Sequence, residues 1–264
     1  MPFEIIEKEN VSRDTRRIRF ALQSKDHKLG LPVGQHVSFK FTDDEGREVI
    51  RSYTPVTSDD ELGYVDFVIK VYFPNVHPKF PGGGRMTMYL ENLKVGDKVL
   101  LKGPKGHVDY QGYGKFNITQ TVAPGKRDAV PYYAKTFGFV AGGSGITPCL
   151  QIIRDMVKRE GDKSTIYLLY ANQTEEDILL REELDALAAD PKNRFKVHYT
   201  LDRPPAKGWK YSKGFINPEM CELALPQPDK NTFIFACGPK PMIDFAVTPS
   251  LRSMGYADSQ WYFF

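Results

Sequence analysis

The sequence predicts two domains in tandem: an antiparallel β-barrel, then an α/β domain with a parallel, Rossmann-like sheet. Three observations predict them. The chain has 264 residues, more than one core of ordinary size needs. Its first hundred residues alternate short extended runs with glycine turns, the rhythm of a small barrel. From Phe137 onward strand, helix and strand alternate, the pattern of a parallel sheet covered on both faces.

In the first half the extended runs are Phe3 to Lys8, Thr15 to Leu22, His36 to Phe41, Val49 to Thr54, Tyr64 to Phe73 and Lys98 to Lys102. Gly30, Gly34, Gly46, Gly63 and Gly96-Asp97 punctuate them. One helix is expected among them, Thr87 to Leu93, capped by Thr87 and fed by Pro81-Gly82-Gly83-Gly84-Arg85-Met86. Glycines leading into a helix form a nest of free backbone amides suited to a phosphate. The barrel spans residues 1–111. Residues 112–135 read as a hinge, with turn-rich Ala123 to Asp128 and with Phe116, Ile118, Tyr132 and Tyr133 packed against their surroundings. Residues 136–264 make the second domain. Its strands are Phe137 to Ala141, Ser164 to Tyr170, Phe195 to Leu201 and Asn231 to Ala236; its helices run from about Cys149 to Arg159, from Glu175 to Ala188, and after Cys237-Gly238-Pro239-Lys240-Pro241.

Composition removes several function classes. With 36 basic against 33 acidic residues the net charge is +3, too small to argue for nucleic acid. Cys149, Cys221 and Cys237 have no CxxC spacing and fit a reducing compartment. His27, His36, His77, His107 and His198 have no metal-ligand spacing, and no nucleophile elbow supports a hydrolase. No run of about 18 apolar residues exists, and the amino terminus is neither a signal peptide nor a myristoylation site. The chain is expected to be soluble and cytoplasmic, an anchor outside this stretch being compatible with it.

Chemistry concentrates in four places. Arg51-Ser52-Tyr53-Thr54-Pro55 ends an extended run, and alternation puts Arg51 and Tyr53 on one face. There a guanidinium can fork onto a pyrophosphate, and a phenol two residues on can lie against a flavin ring. Gly142-Gly143-Ser144-Gly145-Ile146-Thr147-Pro148 joins a strand to a helix, so the backbone can approach a second pyrophosphate at the helix's positive end. It is neither GxGxxG nor a P-loop. Cys237-Gly238-Pro239 stands at the carboxyl end of another parallel strand, where a thiol can touch a nicotinamide ring; a buried small residue before a proline-started helix is the plainer reading. Asp202 follows the strand ending at Leu201, where an acid can bond the ribose hydroxyls of NADH and repel the extra phosphate of NADPH. Val68, Lys70 and Tyr72 share one face of a long strand.

RSYT, the GGGRMT turn, GGSGITP and CGPKPM, in this order, resemble the ferredoxin-reductase superfamily and within it the NADH-cytochrome b5 reductase family. The likeness extends over nearly the whole chain, including Gly30 to His36, Val68 to Phe73, Ala171 to Glu175 and Tyr199 to Arg203. It implies an FAD barrel and an NADH domain with the flavin ring in the cleft between them. Arg51 would hold the FAD pyrophosphate, Tyr53 cover the ring, and Thr54 bond it near its reactive nitrogen. Val68, Lys70 and Tyr72 match the second flavin strand, Lys70 also meeting NADH, while Gly84, Arg85, Met86 and Thr87 match the adenylate-side turn. Thr147 lies near both cofactors, and Gly143, Asp202, Cys237, Gly238 and Pro239 belong to the NADH side. Ser52, Phe80, Gly83 and Ser144 complete the cofactor set, and Thr54, Lys70 and Cys237 are the expected catalytic residues. Ser144 and Thr87 replace a threonine and a serine usual in the family, each keeping a hydroxyl.

The implied reaction is hydride transfer from NADH to FAD, then single-electron transfer to cytochrome b5 by a monomer. Lys25 and Lys28, Lys94 and Lys98, and Lys102 and Lys105 are grouped where they can meet an acidic partner. The reductase module of a nitrate reductase shares these motifs but is normally joined to haem and molybdenum domains, so a free-standing reductase is expected. A flavin-free scaffold protein is the reading of another class, and intact Arg51, Tyr53 and Gly142 to Thr147 argue against it.

Overall fold

The computed structural model describes residues 1–76 and 81–264, so Phe80 lies outside the described residues. The chain divides into two compact units, Met1–Gly106 and His107–Phe264.

In the first unit, alternating apolar and polar residues build six strands: β1 Pro2–Ser12, β2 Thr15–Ala21, β3 His36–Thr42, β4 Glu48–Tyr53, β5 Tyr64–Lys70 and β6 Lys98–Lys105. They form one antiparallel sheet in the order β4-β3-β6-β1-β2-β5. That sheet is rolled up. β3 and β5 are four places apart, about 19 Å in a flat sheet, yet the rings of Phe39 and Phe67 meet at 4.9 Å, and Phe20 touches both at 5.5 and 5.8 Å. The Val56 N–H donates to the Asp66 carbonyl (2.9 Å) and draws the chain beyond β4 to β5. Outside the core, the fully buried carboxylate of Asp66 takes Arg17 and Arg19 from β2, each through two nitrogens at 2.6 to 2.9 Å.

The barrel's helix α1, Arg85–Asn92, starts two residues before the expected Thr87. Thr87 is therefore inside the first turn and does not cap it: its hydroxyl donates to the Gly84 carbonyl (3.0 Å) and accepts from the Tyr72 N–H (3.2 Å). The same contacts explain why β5 stops at Lys70 and not Phe73, since the backbone of Tyr72 bonds to the glycine loop, its carbonyl accepting from Gly84 N–H at 2.8 Å. At the other end of α1, Lys8 Nζ donates to the carbonyls of Leu90, Glu91 and Leu93, capping the negative pole.

The second unit opens with β7 Val108–Gly112, β8 Lys115–Ala123 and β9 Lys126–Tyr133, a three-stranded antiparallel sheet where a hinge was expected. The Pro124-Gly125 pair is its tight turn, with Gly125 at φ +73°, where a type II turn places glycine after proline. Phe116 of β8 packs on Phe137, Phe233 and Phe235, and the Asp162 carboxylate accepts from the Tyr113 N–H (3.0 Å) and the Tyr110 hydroxyl (3.3 Å).

Six parallel strands follow: β10 Thr136–Gly142, β11 Thr165–Asn172, β12 Phe195–Leu201, β13 Ser212–Lys213, β14 Thr232–Cys237 and β15 Trp261–Phe263, in the order β13-β12-β11-β10-β14-β15. The connecting helices are α2 Ile146–Lys158, α3 Arg181–Ala189, α4 Pro218–Ala224, α5 Lys240–Met242 and α6 Thr248–Ser253. The helix expected from Glu175 to Ala188 is two pieces. Thr174 and Asp177 close a capping box around a 3₁₀ turn, and Leu180 at φ +57° turns the chain before α3 begins. From β10 the chain proceeds to β11 on one side and later returns to β14 on the other. The carboxyl ends of β10 and β14 are thus the switch point where open sheets bind ligands.

Candidate cofactor and active site

At the switch point Ala141 pairs with Cys237, so the turns leaving β10 and β14 stand side by side. A Cβ on Gly145 would lie 2.2 Å from the Cys237 carbonyl oxygen, and one on Gly142 or Gly238 would lie 2.7 or 2.4 Å from the Met242 side chain. Packing against backbone requires glycine at 145, whereas at 142 and 238 the crowding is mainly against the flexible Met242 side chain. Gly143 differs: its φ of +54° favours glycine, and nothing lies within 4 Å of where its Cβ would stand. It leaves an open cradle at the start of α2, held from below by the Tyr170 hydroxyl, which donates to its carbonyl (2.9 Å). Half-buried Ser144 and buried Thr147 complete the turn, Thr147 donating to the Ser144 carbonyl (3.2 Å), and Pro148 is the third residue of α2. Cys237 is half-buried, and burial pushes its thiol up to about 11, so it stays protonated at neutral pH.

Asp202 sits just past β12, its N–H donating to the Asn172 carbonyl (3.0 Å). Burial pushes its carboxyl above the usual range, Arg203 opposing and Asp177 adding to the shift. Two neighbours escaped sequence reasoning. Phe215, 79% exposed, follows Gly214, whose N–H bonds the Leu201 carbonyl, so a bare aromatic ring accompanies the end of β12. Asn172 ends β11 with a buried side-chain amide that has no hydrogen-bond partner among the described residues. An amide closing an otherwise apolar strand was the signal.

In the first unit Arg51 and Ser52 are exposed on edge strand β4, and the Arg51 guanidinium rests on the Ile50 carbonyl (2.7 Å). Among the described residues it has no carboxylate partner. Tyr53 packs on Phe39 at 4.7 Å, and burial pushes its phenol well above the ordinary range, so it remains a donor. Thr54 is buried, as is Val68 on β5. Lys70 pairs with Asp14 (3.1 Å), where an exposed lysine was the plain expectation, and Tyr72 keeps its ring 54% exposed. Gly83, at φ +71°, has the Tyr72 carbonyl 2.5 Å from its Cβ position, and the Gly84 amide is spent on that same carbonyl. The expected nest is thus a loop packed on the end of β5, with the Gly84 amide turned away from any ligand. Met86 is in the barrel core and offers its backbone alone, while the Arg85 side chain pairs with Asp43. An unpaired guanidinium beside a protonated phenol fits the phosphate and ring of FAD, and the Gly143 cradle fits a dinucleotide.

Fold and site together define a two-part oxidoreductase that binds FAD in its first unit and NAD in its second. Residues 2–110 match the oxidoreductase FAD-binding domain and residues 139–248 the oxidoreductase NAD-binding domain. The chain is 50% identical to NADH-cytochrome b5 reductase 3 of Rattus norvegicus over 263 residues, covering 100% of this chain and 86% of that protein. It is 49% identical to NADH-cytochrome b5 reductase 2 of Homo sapiens, covering 97% and 91%. The cytochrome b5 reductase domain of Ulva prolifera nitrate reductase superposes with a TM-score of 0.90 at 42% identity, covering 100% of this chain and 96% of that one. The chain belongs to the NADH-cytochrome b5 reductase family.

The two kinds of glycine separate experimentally. Gly145→Ala is expected to lower the thermal midpoint of the protein without NADH, because the methyl collides with backbone. Gly143→Ala costs only about 1 kcal/mol for its left-handed φ and is expected to weaken NADH binding at nearly unchanged stability. Equal stability loss in both variants, by calorimetry, would contradict the distinction.

Proposed function

We propose that the chain oxidises NADH and passes the electrons singly to cytochrome b5, through FAD held by the barrel. The observation that carries this reading is the pairing, in one chain, of Arg51, which has no carboxylate partner among the described residues, beside Tyr53 with the open Gly143 cradle at the switch point. Bound FAD supplies the chemistry, since it accepts a hydride's two electrons together and releases them one at a time. Arg51 would hold its pyrophosphate, Tyr53 would lie against the ring as a hydrogen-bond donor, and Thr54 would bond its edge, with Ser52, Val68, Tyr72 and the Gly83 to Thr87 turn completing the site among the described residues. Lys70 meets the anionic nucleotide, which must compete with Asp14 for it. Gly143, Ser144 and Thr147 receive the NADH phosphates and nicotinamide, Cys237, Gly238 and Pro239 wall the reacting ring, and Asp202 takes the ribose hydroxyls. Cys237 remains a neutral thiol, so it meets the reacting ring as an uncharged contact. Residues 112–135, expected as the hinge, lie within the second unit, in the sheet of β7, β8 and β9.

Both sets of residues lie in one chain, so a monomer suffices, and three unpaired cysteines suit the cytoplasm. No helix among the described residues is long and apolar enough to cross a membrane. The likeness to the Ulva domain supports a second reading, an electron supply to a fused haem domain, and a free cytochrome b5 distinguishes the two as substrate.

Lys25, Lys28, Lys94, Lys98 and Lys102 are exposed and offer the acidic partner its attraction, although Lys98 is shared with Glu4 at 3.8 Å. NADH-driven reduction of free cytochrome b5 is expected to proceed and to slow as salt rises from low to physiological strength; no turnover would sink the proposal, and a flat salt profile its lysine contact. Asp202 gives a pH signature. Its carboxyl is raised, so on acidification it loses its charge at a higher pH than an ordinary aspartate, and the preference for NADH over NADPH is expected to shrink as the pH falls toward the ordinary carboxylate range, before an unshifted aspartate would titrate. A kcat/KM ratio for the two donors that holds constant over that range would remove Asp202 from the assignment.

A further inference from the structure

Arg181 stands where helix physics disfavours it. It is the first residue of α3, a cation at the positive end of the helix dipole, and Leu180 before it takes a left-handed φ of +57° to put it there. Glu182 and Glu183 beside it are the residue type that position favours. A local rule broken at a cost points to a role elsewhere.

The guanidinium touches four elements at once. It donates to the Glu175 carboxylate in the turn after β11, and its Nε lies 3.4 Å from Asp185 on α3. It also stands 5.7 Å from the ring of Tyr199 on β12 and 5.7 Å from that of Trp209 in the loop beyond. Each contact is itself fixed. Tyr199 donates to Asp185 (2.7 Å), Trp209 Nε1 to the Ser212 carbonyl (2.7 Å), and Tyr211 sets its ring against Tyr199 at 5.0 Å and Trp209 at 5.3 Å. The two segments so joined, residues 174–177 and 202–211, are those that flank Asp202. The Arg203 N–H donates to the Gln173 carbonyl (2.8 Å), and Thr174, the next residue, holds Asp177 through its N–H and hydroxyl at 3.0 and 2.9 Å.

We propose that Arg181 is a positioning residue of the nucleotide site: by tying the 174–177 turn to the 202–211 loop it sets where Asp202 stands, and so the preference for NADH over NADPH. The inference rests on the role given to Asp202 above. Arg181 acts through its neighbours and does not itself meet the dinucleotide. A carboxylate displaced by a fraction of an ångström weakens binding of the donor that needs it, while the chemistry at the far end of that donor is unaffected.

The test uses the FAD-loaded full chain with ferricyanide as acceptor, and steady-state kinetics with NADH and with NADPH. Arg181→Met is expected to raise KM for NADH about tenfold, leave kcat within about twofold, and lower the NADH-to-NADPH ratio of kcat/KM about tenfold. Arg181→Lys and Glu175→Gln, gentler changes that keep the fold if the first variant does not, should move KM and the ratio in the same direction. Arg154→Met is the control, because Arg154 makes a comparable ion pair, with Glu183 at 2.5 Å, and touches neither loop; it should lower the thermal midpoint and leave KM and the ratio alone. A lowered midpoint with unchanged KM and ratio in the Arg181 and Glu175 variants would reduce Arg181 to a structural residue and overturn the proposal. Asp202→Asn identifies the level of failure: a changed ratio there with silent Arg181 variants overturns this proposal only, whereas an unchanged ratio removes the role of Asp202 and this proposal with it.

Discussion

The carboxyl ends of β10 and β14 leave no room for a side chain between them, and much of the second unit follows from that. Two adjacent parallel strands must both turn away at the same edge, and the Gly145 Cα faces the Cys237 carbonyl so closely that a methyl would stand 2.2 Å from its oxygen. Only a glycine-rich turn can start α2 there. Once it does, Gly143 is lifted into open space above the sheet, and Cys237, Gly238 and Pro239 are held beside it. The site is a consequence of the crowding beneath it.

The barrel handles charge in a way that singles out one residue. Its arginines are mostly neutralised within the unit: Arg16 by Glu91, Arg17 and Arg19 by Asp66, and Arg47 and Arg85 by Asp43. A buried carboxylate such as Asp66 is tolerated only because two guanidinia saturate it, and removing either partner leaves the other costly to bury. Arg51 stands apart from this scheme, exposed on an edge strand with a backbone carbonyl for company. A cation left out of such a scheme is what the proposed FAD pyrophosphate contact uses.

Most of the fold was legible because the period of the sequence changes once, from strands with turns to strands alternating with helices. The expected strands came out within four residues of the observed ones, whereas the short edge strands β13 and β15 were not anticipated. What escaped was local context. The Pro124-Gly125 pair looked like a linker, although the same two residues make a hairpin turn when extended runs flank them, and the exposed faces of β8 and β9 hide their periodicity. The helix from Glu175 read as continuous because nothing in Leu180 announces a left-handed φ. Thr87 has the composition of a cap, yet Gly84 occupies that position through its backbone. The glycine at 145 was read as serving a ligand, and it took the neighbouring strand to show that it serves packing. Arg181 carried no motif, for its meaning lies in two ion pairs with nearby carboxylates and two aromatic rings, Tyr199 and Trp209, distant in sequence.

The central claim is that this chain moves electrons from NADH onto a flavin it binds itself. The most direct measurement is the visible spectrum of the purified protein under anaerobic conditions, before and after NADH and, separately, NADPH. The account predicts a yellow protein that NADH bleaches promptly and NADPH only slowly. A protein that stays colourless and unreactive after FAD is supplied would contradict it.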